Sequence, residues 1–110
     1  MGEYRVQISD LAKRGIRNIV SYINTDLQEP AIAAKTADAI LDAISTLKDI
    51  PARIAFVNEE RLAEKGIRRL IINHYSAFFR VNERQKIVDV IRVLFSRRDW
   101  LAYVVVETAS

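Results

Sequence analysis

The single histidine, His74, stands beside Tyr75. Imidazole and phenol are the side chains that move protons when an RNA 2′-hydroxyl attacks the neighbouring phosphate. The plainer alternative is a turn histidine next to a strand tyrosine whose ring packs and whose hydroxyl meets water. Glu59-Glu60 offers a general base in the same sense, although a glutamate pair on a polar stretch is ordinarily just solvated. The pentad Ser96-Arg97-Arg98-Asp99-Trp100 carries more information. Its two guanidinium groups and indole can stack on a base or a protein surface while Arg grips phosphate or carboxylate. In the alternative reading Asp99 pairs with one arginine and Trp100 plugs the end of the core. No spacing gives a metal triad, a nucleophile elbow or a Gly-rich phosphate loop. With one His and no Cys, neither a metal nor a cofactor is expected.

Charge is distributed unevenly. Residues 1–50 hold six Lys/Arg against seven Asp/Glu, whereas residues 51–110 hold eleven against seven. Within 67–98 there are eight basic residues (Arg68, Arg69, Arg80, Arg84, Lys86, Arg92, Arg97 and Arg98) against Glu83 and Asp89. Seven of the eight are Arg, which favours forked contacts with phosphate or carboxylate over a diffuse Lys field. A surface that meets nucleic acid or an acidic protein is one reading. Charge that keeps the edges of a small sheet soluble is the other.

These residues need elements to position them. Tyr4, Val6 and Ile8 alternate with Arg5 and Gln7, as in a short strand. Ser9-Asp10 then supplies a helix start, and Leu11, Gly15/Ile16, Ile19/Val20, Ile23 and Leu27 recur at helical spacing over about five turns. Pro30 opens a second helix whose stripe is Ala33, Ala37, Ile40/Leu41, Ile44 and Leu47, and the short connection predicts an antiparallel helical hairpin. Residues 51–66 are irregular: Ile54, Phe56 and Val57 are expected to tuck onto the core, and 59–65 to form one helical turn closed by Gly66. Runs 67–72, 75–81 and 86–95 read as strands joined by short turns. Residues 96–102 read as a turn or short helix, and Tyr103 to Val106 as a further strand or a partner-facing patch.

The result is a two-layer α+β domain of order β-α-α-β-β-β, an antiparallel sheet packed against an N-terminal helical hairpin. Its 110 residues make one domain, 1–110, with 101–110 as a C-terminal tail. No apolar run approaches the ~18 residues of a membrane span, and the N-terminus lacks a signal-peptide pattern, so a cytoplasmic protein without membrane contact is expected. The facing of Arg80 and Arg92 stays open, because one residue of uncertainty in the 82–85 turn reverses it.

Val6-Gln7-Ile8-Ser9 running into a helix, the helical hairpin, Gly66-Ile67-Arg68-Arg69-Leu70, Tyr75 followed by Phe78-Phe79-Arg80-Val81, and Ile91-Arg92-Val93-Leu94-Phe95-Ser96-Arg97-Arg98-Asp99 occur in that order. Over residues 4–101 this resembles the RelE/ParE family of toxins from bacterial type II toxin–antitoxin modules. The resemblance implies two alternatives. RelE-type members are ribosome-dependent endoribonucleases that cleave mRNA using Arg, Lys and Tyr or His, whereas ParE-type members lack that set and poison DNA gyrase. The ending Arg-Val-Leu-Phe-Ser-Arg-Arg-Asp is similar to the ParE side. Ser76 and Ser96 stand where RelE-type enzymes carry catalytic arginines, and Tyr103 lies near the position of their C-terminal tyrosine. The ParE-like reading assigns the target contact to Arg92, Arg97, Arg98 and Trp100, with Arg68, Arg69 and Arg80 as supporting charge. The ribonuclease reading would use His74 or Tyr103 with Arg98, on a ribosome and its mRNA. Either implies a cognate antitoxin, typically acidic in its tail, and a toxin–antitoxin hetero-oligomer.

Overall fold

The computed structural model describes residues 3–96 and 100–108. Strand β1 (Arg5–Ile8) leads into helix α1 (Asp10–Ser21), which continues through a π turn at Tyr22–Asp26. Helix α2 (Pro30–Ser45) begins with Pro30 in its first turn, where the missing N–H costs nothing. After 3-10 turns at Thr46–Lys48 and Pro51–Arg53 comes the short helix α3 (Glu60–Glu64). Strands β2 (Arg68–Ile72), β3 (Tyr75–Asn82) and β4 (Ile87–Phe95) follow, and helix α4 (Trp100–Thr108) ends the described chain.

The sheet order is β1-β4-β3-β2. The last three strands form the antiparallel meander that the short turns require. The first strand joins them in parallel, with Val6 opposite Val88, so the sheet is mixed. Helices α1 and α2 cover one face. Ala12, Ile16, Ile19, Ile40 and Ile44 pack there against Ala77, Phe79, Val88, Val90 and Val93.

A second core fills the opposite face, where Val57, Leu62, Ile67 and Val104 close over Phe78, Ile91 and Leu94. Covering both faces explains why Ser76 to Phe79 are buried one after another instead of alternating. Residues 103–106, expected as a strand or an exposed patch, lie instead within α4. Tertiary contact overrides the strand preference of three valines: Val104 is fully buried against the sheet, and the Trp100 ring stacks on Phe78 at 5.0 Å. In the irregular stretch Val57 and Ile54 do pack inward. Phe56 departs from the expectation and stays half exposed, because the Arg68 guanidinium lies over its ring at 3.8 Å.

Ser9 fixes the corner between β1 and α1. Its hydroxyl accepts from the Ala12 N–H at 3.0 Å, capping α1, and donates to the Ile91 carbonyl at 3.0 Å. Its own N–H reaches the Val90 carbonyl at 2.9 Å. One turn further on, α1 comes so close to β4 that a methyl group on Gly15 would overlap the Val93 carbonyl oxygen. That neighbour is backbone, so it has no rotamer by which to retreat. Gly66 serves differently: at φ +85° it ends α3, with its N–H donating to the Ala63 carbonyl.

Gly15→Ala is expected to lose about 1–3 kcal/mol or more in urea unfolding, by forcing α1 away from β4. Gly66→Ala, strained by φ alone with open space around it, should lose about 1–2 kcal/mol. A Gly15→Ala protein as stable as the parent would refute the close approach.

Candidate functional site

Arg68, Arg69, Arg80 and Arg92 each occupy a different environment. Arg68 and Arg69 sit side by side at the start of β2 and therefore point to opposite faces. Arg68 donates to the Ile54 carbonyl at 2.6 Å and to that of Ala52 at 3.3 Å, fastening the 51–57 segment to the sheet edge. Arg69 lies on the α4 face. Its Nε donates to the Ser76 hydroxyl at 2.9 Å and its Nη2 to the Ser96 carbonyl at 3.4 Å. The guanidinium also stands 5.5 Å from the Trp100 ring and 5.7 Å from that of Phe78.

The Ser76 and Ser96 hydroxyls lie 2.8 Å apart, and Ser76 is wholly buried. The Ser96 N–H donates to the His74 carbonyl at 2.8 Å, holding the end of β4 to the start of β3. The strand ends where the ribonuclease reading seeks catalytic arginines are therefore occupied by a small, internally bonded polar cluster. A charge-assisted hydrogen bond from Arg69 holds it, and aromatic rings close it over.

Arg80 and Arg92 owe their facing to a bulge. Phe79 pairs with Val90 and Phe78 with Arg92, leaving Ile91 as the extra residue of β4. Cross-strand partners share a face, so Arg92 joins Phe78 on the α4 side and Arg80 joins Asp89 there. Arg80 is exposed. The Arg92 guanidinium lies 5.3 Å from the Tyr103 ring, and its Nε is buried with no hydrogen-bond partner. Trp100 is half-buried in its stack on Phe78. Arg97, Arg98 and Asp99 lie outside the described residues.

His74 and Tyr103 line two different cavities, which share Phe95. His74 is exposed and borders an apolar cavity of about 300 Å³ with Tyr22, Tyr75 and Phe95. Tyr103 borders a different cavity, between α1 and β4. Among the described residues no cluster of His, Cys, Asp or Glu could hold a metal ion, and no helix is long and apolar enough to cross a membrane. Glu59 is committed to capping α3, accepting from the Leu62 N–H at 2.9 Å and the Arg61 N–H at 3.3 Å. The Leu62 bond, aided by those from Arg61, holds the Glu59 carboxyl below its usual 4.5. At the far end of the sheet the Tyr4 hydroxyl donates to Glu83 at 2.7 Å, which raises its pKa, and Lys86, raised chiefly by Tyr4, completes the group.

Sequence reasoning missed the Ser76–Ser96 pair as partners of Arg69, and missed Arg14 and Asn18, which border the Arg92 cavity. The i,i+4 spacing of Arg14 and Asn18 beside Gly15 was a signal, since it puts both on one side of α1.

A sheet with a helical hairpin on one face is the fold of the RelE/ParE class of toxin. Residues 6–100 match the family model of the ParE toxin of the type II toxin–antitoxin system parDE, and the chain belongs to that family. None of the curated proteins matches the sequence. Among solved structures, the chromosomal ParDE toxin–antitoxin system of Pseudomonas aeruginosa superposes with a TM-score of 0.70 at 21% identity, over 84% of this chain and 96% of that one. The RelBE2 toxin–antitoxin complex of Mycobacterium tuberculosis gives 0.61 at 19%, over 84% and 98%. The archaeal RelE–RelB complex of Pyrococcus horikoshii gives 0.54 at 12%, over 87% and 98%.

Ser76→Ala should cost about 1–3 kcal/mol in urea unfolding, because it strips the Arg69 Nε of its partner beneath the aromatic cover. Adding Arg69→Met should cost less than the sum of the two single changes, and full additivity would sink the pairing. The Glu59 carboxyl has a folded pKa below its unfolded one, so its contribution is complete above about 4.5 and is lost as pH falls through the lower folded value. Amide exchange at Leu62 should accelerate across that acid window in the parent but not in Glu59→Gln.

Proposed function

We propose that this toxin arrests growth by binding and poisoning DNA gyrase, and that it performs no covalent chemistry of its own. One observation carries the reading. The positions where the ribonuclease branch keeps catalytic arginines are Ser76 and Ser96, bonded to each other and to Arg69. A serine pair held by a guanidinium, Ser76 buried and Ser96 half-buried, offers neither a general base nor a general acid near neutral pH. The candidates for proton transfer, His74 and Tyr103, border separate cavities. The match to the ParE family model supports the same branch.

The target contact is assigned to Arg92 and Trp100 on the α4 side together with Arg97 and Arg98, and exposed Arg80 adds charge. Arg68 and Arg69, tied up in internal hydrogen bonds, contribute through their field and not by direct contact. The partner in the resting cell is a cognate antitoxin in a hetero-oligomer, as the similar ParDE and RelBE structures are toxin–antitoxin assemblies. An acidic antitoxin tail complements the basic second half of the chain. The site of action is the cytoplasm, where gyrase works.

Purified protein added to gyrase, relaxed plasmid and ATP should yield linear DNA after a detergent quench, or abolish supercoiling. Arg97→Ala with Arg98→Ala should remove that effect and the growth arrest while leaving the circular dichroism spectrum unchanged. Untouched gyrase, together with translation-dependent mRNA cleavage that needs His74, Tyr103 or Arg98, would transfer the protein to the ribonuclease branch.

A further inference from the structure

Where α1 passes the end of β4 its winding changes. From Tyr22 to Asp26 the turn is π, closed by the Leu27 N–H donating to the Tyr22 carbonyl at 3.1 Å. Such turns are rare and are frequent at functional sites. This one leaves Tyr22 and Leu27 exposed, two large side chains with apolar bodies. They border the apolar cavity of about 300 Å³ whose other walls are Ile23, His74, Tyr75 and Phe95. None of these six side chains is a carboxylate, a guanidinium or an ammonium group. The Tyr22 and Tyr75 hydroxyls and the His74 ring make no hydrogen bond among the described residues. The lining is thus mostly apolar, mostly aromatic, and carries three polar groups without partners.

We propose that this cavity binds a small neutral aromatic molecule of the phenol or indole type. Geometry selects the ring. The Tyr22 and Phe95 planes stand at 88° with centroids 5.9 Å apart, and Tyr75 is tilted by 54° to Phe95 at 5.4 Å. A planar guest parallel to one of the first two rings is therefore perpendicular to the other, and gains offset-stacked and edge-to-face contacts together. A saturated ring of equal size gains neither. The two hydroxyls and the imidazole supply donors and acceptors for a polar substituent on the guest. Aromatic walls also attract ammonium groups, but this lining holds no carboxylate to balance their charge. A volume of about 300 Å³ takes one ring system with its substituents, at the small end of ligand pockets, and not a length of peptide chain. The inference goes beyond the gyrase reading, since none of the residues assigned to the target contact is among the six.

The test titrates p-cresol, and separately 4-methylcyclohexanol, into the isotope-labelled full chain while the Ile23 and Leu27 methyl resonances are followed by NMR. The two probes share a size and a hydroxyl and differ in the ring. p-Cresol should shift those methyls saturably at millimolar concentrations or below, and 4-methylcyclohexanol should bind about fivefold more weakly. Tyr22→Ala and Leu27→Ala, both at exposed side chains, should each weaken p-cresol severalfold while the amide spectrum away from the cavity stays unchanged. Equal affinity for the two probes would overturn the aromatic assignment. N-acetyltyrosinamide carries the same phenol on a peptide backbone and should bind no better than p-cresol. Tighter binding of that amide would make the guest a protein side chain and overturn the small molecule. No saturable shift with either probe, or unchanged p-cresol affinity in folded Tyr22→Ala and Leu27→Ala, would overturn the site. A negative gyrase assay leaves these outcomes untouched, so the two readings fail separately.

Discussion

The approach of α1 to the backbone of β4 at Gly15 is the constraint from which the rest of the molecule follows. With no side chain at that point, the helix lies directly against the Val93 carbonyl. Ser9 can then cap the helix and bond β4 with the same hydroxyl. Ile16 and Ile19, one turn along, reach the sheet beside Phe79 and Val90 and form the main core. The same seating leaves Arg14 and Asn18 at the rim of β4, where they face the cavity that holds Arg92. A bulkier residue at 15 would loosen the core and the cleft together.

Much of this was legible in the chain. The helical stripes of α1 and α2, the capping Ser9 and the three-strand meander all arise from local rules of period, capping and turn chemistry. The parallel seat of β1 did not, because which strand a short alternating segment joins is decided by long-range packing. The second core was written in the doublets Phe78-Phe79 and Val93-Leu94, which serve two faces at once. The run Tyr103 to Val106 misled because β-branched residues favour strands until a neighbouring surface offers them burial, as Phe78 and Leu94 do for α4.

The candidate site was less legible than the fold. A count of arginines cannot separate those that bind from those that build. Arg68 and Arg69 are adjacent in sequence, yet one clasps a loop and a phenyl ring on the sheet edge while the other holds two serines under an indole. Arg92 was undecidable for a different reason. A single bulge residue, Ile91, reverses the facing of everything that follows it, and nothing in the local sequence announces the bulge. The basic character of the second half is therefore partly internal architecture, and the charge left for partners is smaller than composition suggests.

The pairing of β1 with β4 also bears on how the protein is made. Arg5 to Ile8 wait for Ile87 to Val90, and Ser9 for Ile91, eighty-two residues later. Helices α1 and α2 can form as soon as they are synthesised, but the strand that anchors them to the sheet is the last of the four to emerge. A sheet whose first strand pairs with its last gains that contact only after β4 has been synthesised, and long-range pairing of this kind is slow to close. Chains that stop short of β4 accordingly lack the arginine-bearing face, and the assembled surface appears only after that strand has joined the sheet.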